Sequence, residues 1–163
     1  MNKNIRYACL SAIILWMAWP PLPFASPLLL FGLVPLLIAI DRIYHSKEGK
    51  KGKKVFWISA LTFFIWNTGC IYWIWNASAP GAIVAYVLGA LLMTLSVYCY
   101  FRVKSLGKPV IADLSFISFW ITYEYLHQTW DLNFPWMNLG NGFASTTHLI
   151  QWYEYTGVYG GTL

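Results

Sequence analysis

From Val55 to Trp75 the chain runs for 21 residues without one charged side chain. As an α-helix that stretch is about 31 Å long, and a bilayer's hydrocarbon core is about 30 Å thick. A second run, Ala82 to Phe101, has 20 uncharged residues and makes the same demand. A third, 110–126, is shorter and carries Asp113 and Glu124 near its two ends. Runs of this kind predict spanning helices, because lipid offers backbone N–H and C=O groups no partner outside the helix.

The rest of the chain agrees. Charged residues make up 10% of it, against roughly 25% in a soluble domain. So little charge cannot cover a water-facing surface. Aromatic residues make up 19%, including 10 Trp, which suits the two membrane–water interfaces. A sixth apolar stretch is expected to begin near residue 155, and 7–19 and 28–40 precede the others. Each of these two has only about 13 apolar residues, nearer a half-span than a full one. Between them Pro20, Pro21, Pro23 and Pro27 forbid a continuous helix, so a tight helical hairpin is predicted. A secretory signal is the rival reading, but Phe24-Ala25-Ser26 is a poor cleavage site. The predicted fold class is all-α: a polytopic membrane bundle of five to six helices opening on a short Pro-rich hairpin.

The net charge of +5 does not indicate nucleic-acid binding, because of where the basic residues lie. All eleven fall at Lys3 and Arg6, between Arg42 and Lys54, and at Arg102, Lys104 and Lys108. These are alternate connections of the predicted topology, and 19–27, 76–81 and 127–154 contain no Lys or Arg. The positive-inside rule then places the N-terminus and the basic loops in the cytoplasm. The loop 45–54 reads first as a solvated topology determinant, and only second as an anionic-lipid site. Cys9, Cys70 and Cys99 are widely spaced in apolar segments, so neither a disulfide framework nor a metal site is indicated.

No nucleophile with a base, carboxylate pair or metal cluster assembles from the sequence. Two features nevertheless differ from plain lipid-facing helix. Glu124 is an ionisable residue at the outer end of a span, close enough to the interface to reach headgroup water. The segment Asn133 to Gly142 combines Pro, Asn and Gly, which exclude a regular helix, with Phe, Trp, Met and Leu, which are too apolar for a free loop. It is expected in the interface or on top of the bundle. Trp73, Glu124, Phe134, Pro135, Trp136 and Asn138 are the candidate rim of a lipid-accessible cleft. No residue is assigned a catalytic or metal-binding role.

Phe134-Pro135-Trp136-Met137-Asn138-Leu139-Gly140, with Thr156-Gly157-Val158-Tyr159-Gly160 downstream, resembles the signature stretch of the apolipoprotein N-acyltransferase family. Trp19-Pro20-Pro21, Leu33-Val34-Pro35-Leu36 and Gly69-Cys70-Ile71-Tyr72-Trp73 resemble its hairpin, second helix and third-span exit. The resemblance implies a multi-pass inner-membrane enzyme that needs no cofactor. Its donor is a membrane phospholipid and its acceptor the N-terminal diacylglyceryl-cysteine of lipoproteins; nucleic acid has no part. It further implies that a nitrilase-like domain carries a Glu-Lys-Cys triad, and that Leu163 falls within the sixth span, ahead of that domain. These 163 residues alone are therefore expected to be inactive. The alternatives are a membrane anchor or a transporter fragment without catalytic activity.

Overall fold

The computed structural model describes residues 3–22, 24–107 and 109–163. Two residues used above, Pro23 and Lys108, lie outside the described residues. The described residues form an all-α bundle, with no strand among them.

Helix α1 (Lys3–Ala18) ends where the prolines begin, with a cis bond between Pro20 and Pro21. The chain returns through a 3-10 turn at Ser26–Leu28, α2 (Leu29–Gly32) and α3 (Val34–His45). These pieces read as one helical run, Ser26–His45, long and apolar enough to cross a membrane. This corrects the half-span expected from 28–40. Pro27 and Pro35 each stand in the first two positions of a helical piece, where a missing N–H costs no bond.

Helices α4 (Lys51–Ile71) and α6 (Ala79–Lys104) also meet the length and apolarity needed to span. Between them α4 stops at Ile71, four residues before the stretch ending at Trp75 does, and α5 (Ile74–Ala77) follows. At the break the Tyr72 carbonyl accepts both the Trp75 N–H at 3.1 Å and the Tyr86 hydroxyl at 3.2 Å. Ser78 then caps α6 by accepting the Gly81 N–H at 3.2 Å, with Pro80 in the first turn. Helix α7 (Pro109–Thr129) is long enough to cross, at about 31 Å. It is not among the three apolar spans of the described residues, because Asp, Ser, Thr, Glu, His and Gln are spread along it. The sequence ranked it above 28–40; the structure reverses that order.

The helices pack side by side in the order α3, α1, α4, α6, α7, so that α1 lies between the return arm of its own hairpin and α4. Small residues allow close approach. Ala8, Ser11 and Ala12 are buried on α1, and Gly89 of α6 lies against the Asn67 amide of α4. Buried hydroxyls bond both within and between helices: Thr94 returns to the Ala90 carbonyl at 2.7 Å, while Thr62 reaches the Ile58 carbonyl of its own helix at 2.9 Å and the Ala8 carbonyl of α1 at 3.2 Å. Opposite this packed face, Val84, Val87, Leu91 and Leu95 form an exposed apolar stripe on α6, the surface that lipid would cover.

The basic connections come together at one end. Lys104 pairs with Asp41 at 3.0 Å and lies over the Tyr44 ring, and Arg42 lies over the Tyr7 ring. The opposite end carries residues 130–163, which contain no helix longer than five residues. The stretch expected to open a sixth helix holds α8 (Tyr153–Thr156) and a 3-10 turn at Val158–Gly161.

Candidate functional site

Residues 130–163 form a cap over the end of the bundle, and its fixed point is Glu124. A carboxyl group in the last turns of α7 would be costly if left without partners. Glu124 is fully buried, contrary to the expectation that it reaches headgroup water. It accepts three hydrogen bonds instead. The Trp120 indole N–H and the Leu139 backbone N–H donate to Oε1 at 3.0 and 2.8 Å, and the Thr162 hydroxyl donates to Oε2 at 2.8 Å. The first bond stays on α7, while the other two hold the cap at points 15 and 38 residues away.

Those two anchor points also meet each other. Thr162 Oγ1 accepts the Gly140 N–H at 3.3 Å, and the Tyr153 hydroxyl donates to the Gly140 carbonyl at 2.8 Å. Gly140 must be glycine for this, since a Cβ there would run into the Val158 carbonyl oxygen. Around it the chain turns in 3-10 helices at Pro135–Met137 and Leu139–Phe143, so no regular α-helix forms, as the composition predicts. The Asn141 amide donates to the Pro135 carbonyl at 2.8 Å and closes the first turn. A second attachment runs to the hairpin, where the Ser26 and Thr146 hydroxyls are 2.7 Å apart and both buried.

Between cap, hairpin and the end of α4 lies a cleft of about 650 Å³. Trp16, Trp19 and Pro21 wall it from the hairpin side, Cys70 and Trp73 from α4 and its exit, and Trp136 from the cap. Trp73 and Trp136 meet edge to face, with ring centroids 5.6 Å apart, and both remain about half exposed. The lining is apolar except for a few groups, and no carboxylate, histidine or cation is among the described lining residues. The cleft can therefore hold an apolar ligand, but it offers Cys70 no base.

The structure thus divides the predicted rim. It brings Trp73 and Trp136 together at the cleft. Glu124 and Asn138 are buried and do not line it, and the Asn138 amide has no hydrogen-bond partner among the described residues. Phe134 faces a smaller cavity beside α6, and Pro135 supplies the turn that carries Trp136. Sequence reasoning missed Trp16, Trp19, Tyr153 and Thr162. The two tryptophans flank the start of the proline run, a clue that the bend is an aromatic wall as well as a turn. Nothing local to Thr162 marks it as a partner of Glu124.

Comparison with known proteins matches this chain to one family. Residues 11–163 match the family described as "Apolipoprotein N-acyltransferase N-terminal domain". A protein of Chlorobaculum tepidum named apolipoprotein N-acyltransferase is 26% identical over 98% of this chain and 29% of its own length. One of the same name from Geobacter metallireducens is 30% identical over 98% of this chain and 31% of its own length. The chain thus spans about three-tenths of these curated relatives. No solved structure matches it. A bundle with apolar spans, a proline hairpin and a latched Phe-Pro-Trp cap, matched from residue 11 to residue 163, belongs to the apolipoprotein N-acyltransferase family and represents its N-terminal domain.

Proposed function

We propose that this chain is the membrane-embedded, lipid-admitting part of an enzyme that moves an acyl chain from a phospholipid to the N-terminal diacylglyceryl-cysteine of lipoproteins. It sits in the bacterial inner membrane with its N-terminus in the cytoplasm and its cap outside. The observation that carries the reading is the 650 Å³ apolar cleft at the cap end, with Trp73 and Trp136 at its mouth. Its size falls in the roughly 300–1,000 Å³ range of small-molecule sites. Its position lets a chain leave the bilayer sideways beneath a domain held above the membrane. Family resemblance assigns the reacting thiolate to a nitrilase-like domain outside these residues, where acyl transfer forms a thioester and then an amide. In this reading Glu124 and Asn138 support the rim, and Phe134 and Pro135 shape its turn.

Trp136→Ala in the full-length enzyme tests this. A cleft role is expected to leave the membrane-inserted protein level normal and lower the acyl-transfer rate per molecule. If Trp136 is only an interfacial anchor, the level falls and the rate per molecule holds. If neither changes, the cleft plays no part. The anchor reading also covers the alternative that the chain has no catalytic partner. Acyl transfer by the isolated 163 residues, lost in Cys70→Ala, would overturn the assignment of chemistry elsewhere.

A further inference from the structure

At the other end of the bundle the start of α4 is built against ordinary helix electrostatics. The positive end of a helix dipole favours carboxylates, and α4 has none in its first turn. It has Lys51, Lys53 and Lys54 there, directly after Lys50. No side chain caps it, so its first-turn N–H groups are left for another acceptor. Lys50 adopts a left-handed backbone, φ 57°, and is the one non-glycine residue with positive φ among the described residues. Gly49, next to it, could have taken that conformation without a side-chain penalty. Two of the ammonium groups are used within the protein: Lys51 donates to the Tyr44 carbonyl at 2.8 Å, and Lys54 pairs with Glu48. Lys50 and Lys53 have no partner among the described residues.

These lysines edge a groove of about 530 Å³ where the starts of α1 and α4 meet the end of α3. Its floor is apolar, formed by Ile5, Ile43, Trp57, Ile58 and Leu61. Trp57 is 61% exposed, an indole on the rim between basic edge and apolar floor. The groove is separate from the cleft, because the two lie at opposite ends of both α1 and α4.

We propose that this groove binds one anionic phospholipid, its phosphate held by Lys50, Lys53 and the free N–H groups of α4, its acyl chain on the Ile5–Trp57–Leu61 floor. Charge complementarity requires an anion, and helix terminus and lysines together suit a phosphate. The apolar floor requires a ligand with a hydrocarbon part, which separates a lipid from free phosphate. The position, on a basic end joined to apolar spans, is where an anionic leaflet would meet the protein.

Native mass spectrometry of the purified, delipidated protein in detergent tests this by titration with phosphatidylglycerol, phosphatidylcholine and glycerol 3-phosphate. One phosphatidylglycerol is expected to bind in preference to phosphatidylcholine. Lys50→Gln/Lys53→Gln is expected to weaken it about 30-fold, at about fivefold per lysine. Lys47→Gln/Arg102→Gln removes the same two charges outside the groove and is expected to leave binding within about threefold of the parent. Lys50→Arg/Lys53→Arg, which keeps the charge, is expected to bind like the parent and guards against a folding defect. Equal binding of phosphatidylcholine, an equal loss in the Lys47/Arg102 variant, or a full loss in the arginine variant would each overturn the proposal. So would glycerol 3-phosphate competing as well as the lipid, since the floor would then contribute nothing.

Discussion

The α4–α6 seam and the cap handle buried polar groups in opposite ways. In the seam each helix satisfies its own backbone, and Thr62 and Thr94 each donate to a carbonyl one turn back, Thr62 also reaching the Ala8 carbonyl of α1. Removing one such hydroxyl strands little. In the cap the backbone turns too tightly for a helix to satisfy itself, and partners come from far along the chain. Glu124, Thr162, Tyr153 and Gly140 form one connected set, in which each member holds at least one other. The seam's polar groups are therefore individually replaceable, and the cap's are not.

The largest expected effect follows from Glu124→Ala, which leaves the buried Trp120 indole N–H and the partly buried Leu139 N–H without an acceptor. At about 1–3 kcal/mol for each orphaned group, the cap should lose roughly 2–6 kcal/mol of its attachment. Limited proteolysis should then cut within 130–163 while α4 and α6 stay protected. Glu124→Gln keeps an acceptor oxygen and should fall between the two.

Glycine substitutions extend the contrast. Gly140→Ala drives a Cβ into the Val158 backbone and should cost about 1–3 kcal/mol, read as a lower unfolding temperature in micelles. Gly89→Ala in the seam meets the end of the Asn67 side chain at 2.9 Å, which has no hydrogen bond to break. Relief of helical glycine, worth up to about 1 kcal/mol, should bring it near neutral. If Gly89→Ala is the more damaging, the contrast is reversed.

The smallest contrast comes from paired hydroxyl deletions. Thr162→Val orphans the Gly140 N–H, for about 1–3 kcal/mol, and leaves Glu124 its other two donors. Thr62→Val removes a donor whose main acceptor, the Ile58 carbonyl, lies within its own helix, for about 1 kcal/mol or less. Matched thermal unfolding of the two variants reads this difference directly.

The same contrast explains what could be read in advance. Spans α4 and α6 follow from uncharged runs of 21 and 20 residues, because lipid leaves a backbone no alternative. The hairpin follows from its prolines. The non-helical character of 133–142 follows from Pro, Asn and Gly beside large apolar side chains. The continuity of Ser26–His45 was obscured because a proline breaks a helix only inside it, and the sequence does not show which turn Pro27 and Pro35 occupy. The end of α4 at Ile71 was invisible inside an unbroken apolar run, since no proline or charge marks it and the Tyr72 carbonyl beyond it is met by Tyr86 of the next helix only once the chain has folded. In the cap, Glu124 stood out as costly, but its partners at Leu139 and Thr162 are defined only by the fold. So is the meeting of Trp73 with Trp136 across 63 residues of chain.

If the Glu124 latch sets the mouth of the cleft, the distance between Trp73 and Trp136 depends on it. Crosslinking Trp73→Cys to Trp136→Cys with a short bifunctional thiol reagent in native membranes, with Cys9, Cys70 and Cys99 replaced by serine, measures this most directly. The crosslink is expected to form efficiently with Glu124 present and to fall several-fold in Glu124→Ala. Equal crosslinking with and without Glu124, or none in either, would show that the latch does not set the mouth.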